Sequence, residues 1–278
     1  MTLSHADADV GKAGMAGELE PWLAFNKGPG LLDEEGRQYV SAFPPADLME
    51  LTTTERTEIA FTEHGVTCSR ALSAASPVPL NKFARILDFG CGVGRLARMF
   101  KGFSGEYVGV DVHQQSIEWM QGALPYVEAY QTTPRQPLPF PDNHFDCVVS
   151  ISVFTHMNEA DQRFYLSELK RVTKSGGTLL LTVHGYRALS RAVNEERIFQ
   201  MMNTPREELE LALTSLADGS GFHFYNQMAH LSSEAYEYGI TFSNRNYLQR
   251  VWGEYFNVLN VVAGGIHDFQ DIVVLEAR

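Results

Sequence analysis

No apolar run in this chain approaches the roughly 18–20 residues that a membrane helix needs, and the first residues show no basic, then apolar, then cleavage-site pattern. Cysteine is scarce: Cys68, Cys91 and Cys147 are the 3 present in 278 residues, an odd number without metal-ligand spacing. That argues against a disulfide framework or a metal centre and for reduced thiols in a cytoplasmic protein. Positive charge is scarce too. Lys+Arg is 22 against 34 Asp+Glu, a net charge of -12, and no Lys/Arg run occurs. Long-range attraction to nucleic acid or to an anionic membrane is therefore disfavoured, which leaves a small molecule as the expected partner and a homodimer as a possible assembly. What is present, 44% hydrophobic and 20% charged residues, is ordinary for a globular chain and wrong for disorder.

One stretch organises the rest. Residues 85–95 read RILDFGCGVGR. Ile86 and Leu87 belong to a short apolar run that predicts a buried parallel strand ending at Asp88. Gly90, Gly92 and Gly94 then make a turn too glycine-rich for a strand or a helix interior. Leu96, Met99 and Phe100 recur at helical spacing, so a helix is expected next, its N-terminus adding partial positive charge near a ligand. Further on, EYVGVDV over 106–112 predicts a second buried strand ending in Asp111, 127–131 a third, FDCVVSI over 145–151 a fourth, and TLLLTV over 178–183 a fifth with His184 at its end. Asn158 caps the helix between the last two. The closing strands, 256–262 and 272–276, are too near one another for a helical crossover and are expected to form an antiparallel hairpin.

Strands alternating with helices at this spacing predict a doubly wound α/β sheet. The organisation is read as a flexible tail over 1–18, a helical cap over 19–80 in which Gly65 makes two helices or a bend, a core over 81–185, a lid-like insertion over 186–245, and a C-terminal helix and hairpin over 246–278. Thr52, Thr53, Thr54 and Arg56 form a polar cluster within the cap.

Two acids at strand ends speak for the ligand. Asp111 follows Gly94 at a distance suited to accepting both ribose hydroxyls of an adenosine-type cofactor. Asp88 stands beside the glycine turn, where it would repel a pyrophosphate and attract an ammonium or a sulfonium. Arg95 occupies the place of the third glycine of a dinucleotide-binding GxGxxG. The balance moves from NAD towards S-adenosylmethionine; an NAD-dependent oxidoreductase and a non-catalytic cofactor-binding subunit are the alternatives.

DFGCGVGR, YVGVDVH, LPFPDNHFDCVVSISVFTHM and LKRVTKSGGTLLLTV, taken in order, resemble the successive motifs of class I S-adenosylmethionine-dependent methyltransferases over about residues 85–184. SVFTHM and HDFQDIVVL are similar to a small-molecule, methyltransferase-domain 11/25-like branch. The resemblance implies a Rossmann-like seven-stranded sheet of order 3-2-1-4-5-7-6 with the last strand antiparallel. Position by position, it implies that Asp88 and the backbone of Gly90 and Gly92 hold the methionine part, with Cys91 and Arg95 of the same turn also binding the cofactor. Asp111 takes the ribose and Val112 packs on the adenine with His113 nearby. Thr132 and Thr133 flank the adenine edge, where the family often has an acid, and Ser150 and Ile151 face the cofactor.

The acceptor is less legible. His156, His184 and the pair His267 and Asp268 lie at carboxyl ends of strands or in the final turn, where α/β folds bind ligands, and are the candidate bases. For each histidine a hydrogen-bonded structural role is an equal reading. Phe224, Tyr225, Tyr236, Tyr238 and Phe242 in the aromatic insertion are the candidate acceptor wall, with His223 as a pocket residue; the alternative is that these rings are the apolar core of a lid. Aromatic faces favour cations, so thioether S-methylation of methionine or a relative, which needs no base, stands beside O- and N-methylation.

Overall fold

A computed structural model of the chain describes residues 3–53, 56–217, 219–227 and 237–278; Thr54 and Tyr236 lie outside the described residues. The chain divides into two compact units, Met1–Thr132 and Thr133–Arg278. Both are of the expected α/β, Rossmann-like class.

In the first unit the strands β1 (Arg85–Phe89), β2 (Glu106–Asp111) and β3 (Val127–Gln131) run parallel in the order β3-β2-β1. Ile86, Leu87, Val108 and Val110 are buried, as continuous apolar runs of a covered parallel sheet require. Helices precede them. The segment read as a tail is helical: α1 (His5–Ala13) starts at Ser4, whose hydroxyl accepts the Asp7 N–H. The chain after it is held by the bond from Met15 N–H to the Lys101 carbonyl (2.8 Å), with Met15 fully buried. A small, polar composition hid this contact because its partner lies far along the chain.

The cap comprises α2 (Leu19–Lys27), α3 (Pro29–Leu32), α4 (Glu34–Arg37), α5 (Ala46–Thr53) and α6 (Glu58–Ala75). The break falls before α6, which Thr57 caps through the Ala60 N–H, and not at Gly65. Gly65 sits inside α6 because a Cβ there would come within 2.8 Å of the Arg95 carbonyl oxygen. Trp22 of α2 is wholly buried, and its indole N–H donates to the Met99 carbonyl at 2.7 Å.

The helix expected after the glycine turn is absent. Only a single 3-10 turn, Ala97–Phe100, forms there. The turn itself runs on to Arg95, and Lys101 and Gly102 (φ 84°) must reverse the chain towards β2, so no length remains for a helix. A helix this short contributes little dipole at its N-terminus. A full helix, α7 (Gln114–Ala123), follows β2.

In the second unit β4 (Phe145–Ser150) pairs parallel with β5 (Thr173–His184), and β5 pairs antiparallel with β9 (Gln270–Ala277), which pairs with β8 (Phe256–Ile266). The expected order thus appears as 3-2-1 in the first unit and as 4-5-7-6 in the second, β8 and β9 being the sixth and seventh strands. Asn158 caps α8 (Glu159–Val172) by accepting the Asp161 N–H at 2.8 Å.

The insertion holds α9 (Tyr186–Asn194), α10 (Glu196–Met202) and α11 (Arg206–Ala217), then a hairpin of β6 (Phe222–Asn226) and β7 (Gly239–Ser243). β7 meets the end of β5 at His184 and Phe242. The insertion has its own apolar core, including Leu189, Ile198, Leu209, Ile240 and Phe242. α12 (Arg245–Val251), capped by Asn244, leads from the insertion to β8. No helix among the described residues is long and apolar enough to cross a membrane.

Truncating Trp22 to alanine empties a fully buried indole site and strands the Met99 carbonyl, a loss of about 3–5 kcal/mol in unfolding free energy. Urea denaturation checks this. A change of under about 1 kcal/mol, the range typical of surface substitutions, would show that the cap is not part of the cooperative core.

Candidate functional site

The cradle lies in the first unit. Gly90 (φ 77°) and Gly92 (φ 54°) take backbone conformations that side chains resist, and this turns successive N–H groups away from the strand. The N–H groups of Gly90 and Cys91 donate to the Val110 carbonyl (2.8 and 3.0 Å), locking the turn to β2. Asp111 completes the lock. Its carboxylate accepts the Gly92 N–H at 2.8 Å on one oxygen and the His113 N–H at 2.9 Å on the other. Burial raises its pKa while these N–H groups pull it down. Each oxygen keeps a lone pair, so a diol can still be accepted. Val112 beside it is 42% exposed, an open apolar face. The Thr132 N–H donates to the Asp111 carbonyl (2.9 Å), which places the end of β3 alongside, and Thr133 is exposed.

Asp88 is 3% exposed and accepts the Tyr107 hydroxyl at 2.8 Å. Burial pushes its pKa up to about 7 against the lowering effects of that bond and of Arg95. The Cys91 thiol is turned inward, 3.7 Å from the Met120 sulfur, and burial pushes it far towards the neutral form. Arg95 is half-buried, and its Nη1 reaches the Thr52 carbonyl at 3.5 Å.

A second cluster lies in the second unit, at the carboxyl ends of β4 and β5. Ser150 is fully enclosed and Ile151 nearly so. Ser152 then turns left-handed (φ 61°), its N–H donating to Thr182 Oγ1 and its hydroxyl accepting Gln270 Nε2, both at 2.8 Å. His156 Nδ1 lies 2.8 Å from the Gly239 carbonyl. A carbonyl only accepts, so Nδ1 carries the proton and Nε2 presents a lone pair. The ring stacks on Tyr238 with centroids 4.6 Å apart and meets His184 edge-on at 6.2 Å. His184 sits between Phe242 and Phe269, bonded to the Thr241 main chain, and its Nδ1 has no partner among the described residues. Burial lowers the pKa of His156 to about 4 and that of His184 to about 3, so both rings are neutral at neutral pH.

The other expected residues are placed apart from this pair. His267 (φ 57°) and Asp268 (φ 52°) form the tip of the β8–β9 hairpin. The Asp268 carboxylate is gripped by Arg187, which lowers its pKa, and Arg191 takes both of their carbonyls, at 3.2 and 2.9 Å. A turn that anchors α9 and a carboxylate committed to an arginine make a poor general base. His223 pairs with Glu208 of α11 at 3.1 Å. Tyr225 lines a cavity of about 320 Å³ together with Phe199, Asn203, Thr204 and Gln227. Gln270 and Ser152 were not singled out in the sequence, where no local pattern marks them.

Residues 87–181 match the family model of a methyltransferase domain. The chain is 36% identical over 110 residues to an uncharacterised methyltransferase of Schizosaccharomyces pombe, covering 35% of this chain and 39% of that one. It is 26% identical over 137 residues to ajmaline N-methyltransferase of Rauvolfia serpentina, covering 45% and 46%. It therefore spans less than half the length of these curated relatives. Among solved structures, a protein of Pyrococcus horikoshii shares the fold with a TM-score of 0.53 at 16% identity, over 76% of this chain and 90% of that one.

The fold and the glycine turn with its two acids form an α/β domain suited to a nucleoside cofactor. Residues 87–181 are similar to a methyltransferase domain, for which S-adenosylmethionine is the expected cofactor. The first unit fits that cofactor: Asp111 offers acceptors for a diol, Val112 an apolar face, and Asp88 a negative charge for the cationic tail.

Asp88 titrates near 7 in the folded chain and at 3.8 when unfolded. The folded state holds the extra proton between those values, so its stabilising effect is complete below about pH 4 and is lost as pH rises through about 7. Asp88→Asn in the cofactor-free protein is thus expected to raise the unfolding free energy at about pH 8, with the gain shrinking to nothing near pH 4. Denaturant melts across that range check it, and a gain independent of pH would refute the assignment.

Proposed function

We propose that the protein transfers the methyl group of S-adenosylmethionine to a small-molecule acceptor, with His156 as the general base. The observation that carries this reading is the bond from His156 Nδ1–H to the Gly239 carbonyl, because it fixes the ring and leaves Nε2 as a bare acceptor. The cofactor, when bound, supplies an electrophilic methyl group on a sulfonium. In-line attack by an O–H or N–H acceptor sheds a proton, which a neutral Nε2 can accept. His156 is already neutral at physiological pH, so no prior deprotonation is required. Stacking on Tyr238 and the nearby His184 ring hold it in orientation and keep water away.

A small acceptor is favoured by the net charge of -12, which opposes polyanions, and by the kinship with a relative named for N-methylating ajmaline. The residues first considered as an acceptor wall narrow to Tyr238, which touches the base, and Tyr225, which lines the cavity of the insertion.

Labelled S-adenosylmethionine with a panel of amines, phenols, sugars and thioethers identifies the acceptor class. With the reactive O–H or N–H acceptor, His156→Gln is expected to lower kcat by about 10²–10⁴-fold while cofactor affinity is unchanged. The wild-type rate should show no ionisation of this ring above pH 5, since it titrates near 4. Turnover confined to thioethers and indifferent to His156→Gln would remove the base from the mechanism. Cofactor binding without transfer to any class would leave a binding subunit.

A further inference from the structure

Two polar atoms beside the histidine pair have no role in the proton transfer. His184 and Gln270 face one another across β5 and β9, so their side chains leave the same side of the sheet, with Cβ atoms about 4.5–5.5 Å apart. The Thr241 N–H is already given to the Thr155 carbonyl, and the bond of His184 to the Thr241 main chain favours the protonated ring. The imidazole therefore donates to the Thr241 carbonyl through Nε2, and Nδ1 keeps a lone pair.

Gln270 is set from the other side. Its Nε2 donates to Ser152 Oγ at 2.8 Å, which leaves Oε1 as the free end of the amide. Ser152 holds it from a left-handed conformation (φ 61°), a strain of the kind that clusters at ligand sites. His184 Nδ1 and Gln270 Oε1 are both shut off from solvent and have no hydrogen-bond partner among the described residues. Buried acceptors of this sort cost stability until a donor meets them. Ser152, His156 and Gln270 are each half-buried, so the cluster reaches the surface, with His184 as its inner member at 3% exposure.

Counting hydrogens separates the acceptor classes. A thioether brings no hydrogen to these two atoms, a hydroxyl brings one, and a neutral primary amine brings two. The amine alone satisfies both, and it keeps its nitrogen lone pair for the attack.

We propose that the methyl acceptor is a primary amine whose two N–H groups donate to His184 Nδ1 and Gln270 Oε1. This rests on the transfer reading above and narrows its acceptor. The nitrogen lone pair forms the N–C bond to the methyl carbon, the C–S bond breaks, and its electron pair stays on sulfur, which leaves as a neutral thioether. The ammonium so formed has two N–H groups. One gives its proton to His156 Nε2, and a neutral secondary amine is left. That product fills one of the two acceptors and leaves the other bare, so transfer stops after one methyl group.

Matched scaffolds test the count: benzene, naphthalene and quinoline rings carrying NH2, NHCH3, OH or SCH3, each incubated with labelled S-adenosylmethionine. Aromatic rings are chosen so that the amine is neutral. Wild-type protein favours the NH2 member of a set over the other three by about tenfold or more in kcat/KM. Gln270→Leu lowers that preference by about tenfold, chiefly through KM, and Gln270→Glu, which keeps acceptor oxygens, restores most of it. His184→Phe lowers it likewise. Affinity for S-adenosylhomocysteine within about twofold of wild type shows that each variant is folded.

A hydroxyl, thioether or secondary amine used as well as the primary amine overturns the assignment, as does absence of transfer to every NH2 member. A preference that survives both Gln270→Leu and His184→Phe overturns it too. His156→Gln separates this from the reading it rests on: a lowered kcat with the preference kept is the expected result. An unchanged kcat sinks the base alone, and a preference indifferent to residues 184 and 270 sinks the amine alone.

Discussion

The carboxylate of Asp111 holds the first unit's site together. By accepting the N–H groups of Gly92 and His113, it ties the turn after β1 to the end of β2, with β3 added through the Thr132 N–H. Without those bonds the glycine turn would have three left-handed residues, Gly90, Gly92 and Gly94, and little to choose among their many conformations. The bonds also orient the carboxylate.

Desolvation acts in opposite chemical senses on the two clusters and leaves both less charged. In the first unit it raises the pKa of Asp88, and in the second it lowers those of His156 and His184. Neutral imidazoles with defined tautomers suit proton acceptance. A carboxyl group balanced near neutrality suits a site that must be stable when empty and attractive to a cation when filled. Exposed alternatives differ: Asp268, in full view of solvent and of Arg187, stays a plain ion-paired carboxylate.

Much of this was legible because it is periodic. Apolar runs closed by Asp88, Asp111 and His184 located the strand ends. The short link before Gln270 required a hairpin, and Asn158 announced its helix. The features that were not legible depend on one residue meeting another from far along the chain. Gly65 reads as a helix break until the Arg95 carbonyl is seen against it. The segment around Met15 reads as a tail until Lys101 takes its N–H. The helix expected after the glycine turn failed for want of length, although its apolar spacing was right. His267 and Asp268 read as candidate bases from their place in the final hairpin turn, and Arg187 and Arg191, whose role has no local signature, hold that turn.

The antiparallel pairing of β9 with β5 has a kinetic side. β5 is among the most deeply buried strands of the second unit, and along Thr178–His184 its partner is the last strand in the chain. During synthesis the helices and hairpin of the insertion emerge first, while the edge of β5 waits unpaired. Contacts of such long sequence separation form slowly, and an unpaired apolar edge invites pairing with another chain. The insertion's apolar core also takes in Phe269 of the closing hairpin, so it too stays incomplete during that wait. The surroundings of His184 are completed only when Phe269 and Gln270 arrive.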